Sequence, residues 1–394
     1  MMARTVKSAC VKAAVIAMAA FAASANLAVQ ANTTRNWIGG TGTADAPMDL
    51  WTYANWDGEG NFGVGNTVDC FLSVSDTTYL NSASGSRLCC DLLPNSGDFV
   101  FTGPLQFYSF KPGSVENSTV SVLKKSGDWT VATYGMYIGN ASGTKATFVN
   151  ESGNITSTAN SYGVHIGCVP GATGIVENVS GDWTIEGSMY LCQSNNTAAT
   201  FVNESGNVTL NDINFGTYNV AGGTGTLTIK GGTVTLRDGK EAKFQRGEGT
   251  INLDGGTLVT KKIQRYGSNG ALIQNINFNG GTLKASAADT NPFIYSQYGY
   301  MYVTVGAGGG TIDCNGFPIT LDLNAYKNGT NNGFFKGDGG LTFTGGNTIT
   351  INNNVTYAGV TRITPGTTLA ITHADAKDNI LSHGLVVTDF PTAG

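Results

Sequence analysis

The chain has 394 residues, a formal charge of −5 and only 12% charged side chains, about half the roughly 25% of ordinary soluble domains. An acidic, sparsely charged sequence without a Lys/Arg stripe excludes nucleic-acid binding through clustered phosphate contacts. Hydrophobic residues reach 41%, enough for a core, so wholesale disorder is excluded as well.

The first element is an export signal. Arg4, Lys7 and Lys12 precede an Ala-rich apolar run over 13–23, followed by the small-residue patterns Ala23-Ser24-Ala25 and Val29-Gln30-Ala31. A positive n-region, a short apolar h-region and such cleavage patterns predict a signal peptide over 1–31. The run is too short to span a bilayer, and no later stretch reaches the length of a spanning helix. Without that segment, 19 basic and 27 acidic residues remain, a net −8. Six cysteines also remain: Cys70, Cys89, Cys90, Cys168, Cys192 and Cys314. An oxidising exterior would permit a bridge from Cys70 to Cys89 or Cys90; buried, unbridged thiols are the equal alternative. No CxxC pair or Cys/His spacing suggests zinc, and Cys10 precedes the apolar run, so it is not placed for lipid attachment.

Residues 32–96 keep no repeat and are expected to form an N-terminal cap. From Gly97 a unit recurs, opened by Gly97, Gly127, Gly153, Gly181, Gly206, Gly232, Gly256, Gly281 and Gly310, at spacings of 24 to 30 residues. Two residues after each glycine stand Phe99, Trp129, Ile155, Trp183, Val208, Val234, Leu258, Leu283 and Ile312, all apolar. One further on, five successive units carry Thr130, Thr156, Thr184, Thr209 and Thr235, and Phe101, Val131, Ile185, Leu210 and Leu236 follow at the next offset. Apolar, threonine, apolar is the alternation of a strand with one buried face. The same side chain at the same offset every ~26 residues predicts an all-β parallel β-solenoid, because coils stacked about 4.8 Å apart lay like on like. The solenoid repeats are expected over 97–337. Asn150, Asn178 and Asn203 share one offset and predict an asparagine ladder at a corner.

Two blocks carry a family resemblance. Trp37-Ile38-Gly39-Gly40, Trp51, Asn55-Trp56 and Gly65-Asn66-Thr67-Val68 resemble the opening of many bacterial autotransporter passenger-like proteins. Gly340-Leu341-Thr342-Phe343-Thr344-Gly345-Gly346-Asn347-Thr348 and Tyr357-Ala358-Gly359 through Pro365-Gly366-Thr367-Thr368-Leu369 are similar to the two halves of the autotransporter-associated β-strand repeat, here with Ile349 to Thr356 between them. That irregular unit opens a repeat-like C-terminal region over 338–394. The resemblance implies a right-handed parallel β-helix exported to the outer-membrane surface or beyond it, as an adhesin or stalk. Members end in a membrane barrel of alternating ~10-residue strands; the sequence up to Gly394 contains none. The expectation is therefore either a barrel coded beyond that point or a barrel-less relative.

Candidate sites are few. Asp212, Asp238 and Lys262 lie six residues after their glycines, Arg237 and Lys261 five, and Glu241 and Arg265 nine. Converging carboxylates on one outer face would suit polysaccharide cleavage. Opposite signs at matched offsets favour cross-coil pairing instead, Asp238 with Lys262 and Glu241 with Arg265. Asp98, Asp128 and Asp182, interrupted by Asn154, predict hydrogen-bonded corner residues rather than a metal row. His165, His373 and His383 are scattered, with no HExxH motif or triad. Tyr295, Tyr298, Tyr300 and Tyr302 with Phe293 crowd one unit; a packed tyrosine layer is favoured over an exposed sugar or protein site. The sequence thus points to no enzyme, cofactor or metal, but to a secreted or cell-surface scaffold or adhesin with glycans or surface proteins as partners. The rivals are a β-helical polysaccharide-degrading enzyme using the charged patch and a purely architectural envelope component.

Overall fold

A computed structural model describes residues 33–36, 48–49, 68–73, 78–81, 90–217, 222–266, 272–296, 300–323 and 334–387. The expected signal peptide, the tryptophan-rich opening block, Cys89 and Tyr298 lie outside the described residues. Within them the chain is a parallel β-solenoid of about ten turns and ~26 residues per turn.

Each regular coil contributes three short strands to three parallel sheets. Ile155–Ser157 belongs to the first sheet, Val164–Ile166 to the second and Thr173–Asn178 to the third; the next coil repeats them as Trp183–Ile185, Met189–Leu191 and Ala198–Asn203. Each strand pairs in parallel with its counterpart one coil on. The alternating sequence explains this directly: Ile155, Trp183, Val208, Val234, Leu258, Leu283 and Ile312 are buried, while the threonines between them face outward.

Trp129, Ile155, Trp183 and Val208 form one internal column, continued without a slip through Val234, Leu258, Leu283 and Ile312. Phe99 is the exception to the expected series. It pairs with Val122 in the third sheet, and Leu105 takes the place beside Trp129. The reason is that Gly97 lies inside the third sheet, opposite Val120, and the corner beneath Gly127 is Gly103. The 13-residue strand Cys90–Thr102 ends before Gly103, and Leu105–Phe110 then starts the first sheet again. Trp129 consequently packs against Phe101, Phe107, Phe110 and Phe148, with ring centroids 5.4 to 5.6 Å apart. Strands Thr33–Asn36 and Val68–Ser73 in the expected cap region also pair in parallel, and Val68–Ser73 pairs with Cys90–Thr102.

In the C-terminal region the residues between the two repeat-like halves belong to a coil. Residues Thr348–Ile351 and Asn354–Tyr357 are the second and third strands of a complete coil that has shortened, so that Thr342 pairs with Arg362. Short turns shrink the coil without breaking its register. A helix, Ala374–Ser382, then packs against Asn354–Tyr357 and buries Ala376 and Ile380. It covers the third-sheet strand where the next coil's strand would pair, and Leu385–Val387 then continues the first sheet beside Thr361–Ile363.

Cys168, Cys192 and Cys314 are unbridged, and the last two are buried. Burial pushes the Cys168 and Cys192 thiols up to about 12, so neither is a ready nucleophile at neutral pH. Cys70 pairs with Leu92 and Cys90 with Val68 across the same two strands.

Candidate functional site

The three corners of the coil are built differently. The corner from the third sheet to the first is three or four residues long in every coil from Asn150 and Ile155 to Tyr357 and Thr361. The other two vary. Two residues separate Leu210 from Ile213, for example, but eight separate Ala285 from Ile294. Variable loops on a rigid scaffold are where recognition resides, and the second sheet lies between the two variable corners.

The constant corner is internally committed. Asn150, Asn178 and Asn203 are buried, and each side-chain amide donates to the next: Asn150 Nδ2 to Asn178 Oδ1 at 2.7 Å, Asn178 Nδ2 to Asn203 Oδ1 at 2.8 Å. Trp183 Nε1 also donates to Asn178 Oδ1, at 2.9 Å. Ile229 occupies the next position and ends the ladder. At the other end Lys124, fully buried, donates to Asn150 Oδ1 at 2.7 Å. On the outer surface of the same corner, Asp128 Oδ1 accepts from Asn154 N, Asn154 Oδ1 from Asp182 N and Asp182 Oδ1 from Asn207 N, at 2.7 to 2.9 Å. These are the expected hydrogen-bonded corner residues. Asp98 is not among them: it lies in the third sheet opposite Ser121.

Lys124 gives a pH signature. Burial lowers its pKa from 10.5 to about 8, against the partial pull of Asp128. Between those values the unfolded chain binds more protons than the native one, so stability rises with pH there. Below about 8 both states carry the proton and the burial penalty is fully present. Compared with Lys124→Met, the wild type is expected to gain on the order of 1–3 kcal/mol in urea unfolding between pH 8 and pH 10. Parallel pH profiles for the two proteins would refute the assignment.

The second sheet presents an outward row, Tyr137, His165, Tyr190, Asn214, Lys243, Gln264 and Tyr295. Its first three rings form a stack: Tyr137 and His165 at 4.5 Å and 9°, His165 and Tyr190 at 4.8 Å and 15°. His165 Nδ1 lies 2.7 Å from Gln193 Oε1, and Nε2 is bonded to the Tyr162 carbonyl. Burial lowers the His165 pKa, and its bonds to Gln193 and Tyr162 only partly oppose this. His165, scattered from the other histidines in the sequence, is the centre of this stack. The available signal was the shared setting of Tyr137-Ile138-Gly139, His165-Ile166-Gly167 and Tyr190-Leu191-Cys192.

Further along the same flank lies the charged cluster. Lys243 pairs with Asp212 at 2.9 Å; Lys262 lies 3.3 Å from both Glu241 and Asp289, and Lys261 is 3.0 Å from Asp289. Glu241 N donates to Asp212 Oδ1 at 2.8 Å, and Tyr266 Oη to Glu241 Oε2 at 3.2 Å. The expected cross-coil pairing is present with different partners. Asp238 is exposed in a turn and makes no ion pair among the described residues, and Arg265 points inward, fully buried, with Nη1 donating to Leu272 O at 2.6 Å. The cause is turn length. Ala242 stands opposite Ile263, so Glu241 meets Lys262, although equal offsets from the opening glycines would align it with Arg265. Arg237 reaches Glu186, 3.1 Å away and two coils back.

Asp289 joins the cluster from the long turn before Ile294, at no offset shared with another unit. Burial would raise its pKa, but the Asn291 N–H and the two lysines outweigh that and hold the carboxyl well below the usual carboxylate range. Tyr266 is pushed up to about 12 by burial and by Glu241. Among the described residues no three His, Cys, Asp or Glu side chains group as a metal site. His373 precedes the C-terminal helix, and His383 Nδ1 lies 3.0 Å from Asn379 O.

Of the tyrosine-rich unit, the side chains of Tyr295 and Tyr302 are described, and both are half-buried on the outer side of their strands. Met301, Val303 and Val305 are buried, whereas Tyr302 alternates outward with Lys336 Nζ 4.6 Å from its ring centroid. Tyr295 is half-buried in the outward row, and Phe293 is buried.

Fold and flank together define a repeat protein with one invariant structural corner and one variable, chemically mixed side. Comparison with protein-family models, with curated proteins and with solved structures found no match. The resemblance to autotransporter passengers therefore rests on its motifs and on the shared β-solenoid architecture. No helix among the described residues is long and apolar enough to cross a membrane.

Proposed function

We propose that this chain is an exported, non-enzymatic β-helical scaffold of the cell surface, an adhesin that meets its partners through the second sheet and the turns on either side of it. The observation that carries this reading is the state of the carboxylates in the charged cluster. Asp212, Glu241 and Asp289 are each held by a lysine within 2.9 to 3.3 Å, and Asp289 is further acidified. A glycan-cleaving acid–base pair needs one carboxyl whose pKa is raised toward neutrality. The two lysines on Asp289 work against that there. The signal-like N-terminus and the sparse charge agree with a secreted stalk.

The test combines two assays on the full chain. Surface display is read by protease accessibility on intact cells of the native host. Turnover is read by new reducing ends and unsaturated products across acidic and neutral polysaccharides. Surface exposure without turnover is the expected result. Turnover abolished by Asp212→Ala with Asp238→Ala would establish the enzyme instead.

A further inference from the structure

Tyr134 and Tyr162 are exposed large aromatic side chains, at 39% and 43%. They occupy successive coils at the variable corner between the first and second sheets, with ring centroids 5.8 Å apart and planes at 68°. Exposing two aromatic rings side by side forgoes the burial that stabilises Phe107, Phe110 and Trp129 nearby.

Their backbones are unusually well held for a loop. Met136 N donates to Gly163 O at 2.9 Å, Thr158 Oγ1 to Ala132 O at 2.8 Å, and Tyr162 N and Gly163 N both to Ala159 O at 3.2 and 3.0 Å. Gly135 has φ +77°, and a Cβ there would lie 2.3 Å from Gly163 O, so the two turns touch through bare backbone. The Tyr162 carbonyl is fixed in addition by His165 Nε2. Rings carried on such a support lose little entropy on binding a flat ligand.

Among the described residues the charges nearby are one lysine and one ion pair. Lys111 Nζ lies 6.0 Å from the Tyr134 centroid, and Glu186, in the next coil, is paired with Arg237 at 3.1 Å. Asn160 and Ser161 are exposed polar neighbours in the same turn. Two amphipathic rings, each with a hydroxyl and flanked by amide and hydroxyl groups, match a pyranose, which offers a C–H face and peripheral hydroxyls. They do not form a cationic trap for sulfate or uronate.

We propose that Tyr134 and Tyr162 form a saccharide-binding subsite for a neutral glycan. This deepens the scaffold reading and rests on it. The probes are immobilised β-glucan, mannan and N-acetylglucosamine oligomers, with a sulfated glycan and a polyuronate as acidic comparators. Wild type is compared with the Tyr134→Ala/Tyr162→Ala and Tyr134→Phe/Tyr162→Phe pairs, with Tyr302→Ala as an aromatic control elsewhere on the molecule. At least one neutral glycan should bind wild type in a salt-insensitive way. The alanine pair should weaken binding about tenfold or more, and the phenylalanine pair and Tyr302→Ala by less than about threefold. Neutral-glycan binding unchanged in the alanine pair would overturn the subsite, as would binding confined to the acidic comparators and lost with salt. If wild type still adheres to cells or mucins in either case, the scaffold reading survives. If it adheres to no surface at all, both fall.

Discussion

Asn178→Leu is expected to destabilise the solenoid by about 3–5 kcal/mol, among the largest effects available to a single surface-neutral substitution. The leucine fills similar volume but removes an acceptor for Asn150 Nδ2 and Trp183 Nε1 and a donor for Asn203 Oδ1. It also removes the donor for the carbonyls of Gly181 and Ser205, each at 3.0 Å. Buried polar groups left without partners cost about 1–3 kcal/mol each, and the ladder shares that loss over three coils. Asn203→Ile is the informative comparison. The following coil already has Ile229 at this position, and Asn178 Nδ2 keeps two carbonyl acceptors, so a loss of about 1–2 kcal/mol is expected. Urea unfolding followed by circular dichroism measures both. Hydrogen exchange should show the Asn178 variant loosening across 145–206 first, since neighbouring coils stabilise one another locally. Equal losses for the two variants would mean that the ladder does not act as a connected chain.

Gly206→Ala should be comparably damaging for a different reason. Gly206 has φ +85°, and its missing Cβ would sit 2.3 Å from Gly181 O. The same contact recurs down the corner: a Cβ at Gly181 would lie 2.2 Å from Gly153 O, and one at Gly232 1.8 Å from Gly206 O. A methyl group there has no route of escape, because the blocking atom is backbone belonging to the coil beneath. Gly239 isolates the conformational part, with φ +75° and nothing within 4 Å of a Cβ. Gly239→Ala should cost about 1 kcal/mol of left-handed strain. Gly206→Ala should cost at least about 2 kcal/mol more, because coils cannot separate without breaking ladder hydrogen bonds. Matching urea midpoints for the two alanine variants would show that coil-to-coil contact is not the constraint.

The contrast between these glycines also marks how far the sequence could be read. Gly127, Gly153, Gly181, Gly206 and Gly232 recur because five stacked corners impose one conformation on one position, so a periodic signal survives in the letters. The buried column from Trp129 to Ile312 is legible for the same reason, as is the asparagine ladder. Lys124 as the ladder's cap was not, since a lysine reads as a surface residue until the fold closes over it. The Tyr137, His165 and Tyr190 stack sits beyond a corner of variable length, where distance from the opening glycine no longer reports position.

The division between the two sources follows from this. Local alternation and a constant offset were enough to specify parallel coils, their period, the side facing the core and the corner glycines from Gly127 to Gly232, because each coil must present the same pattern to a like neighbour; in the later units the left-handed glycine is Gly255, Gly280 or Gly309, one residue before the expected one. Turn length is a property of each coil alone, and nothing in the repeat constrains it. Only the tertiary structure could therefore decide that Glu241 meets Lys262, that Arg265 turns inward, that Asp289 enters the cluster and that Tyr134 and Tyr162 stand together on the outer corner.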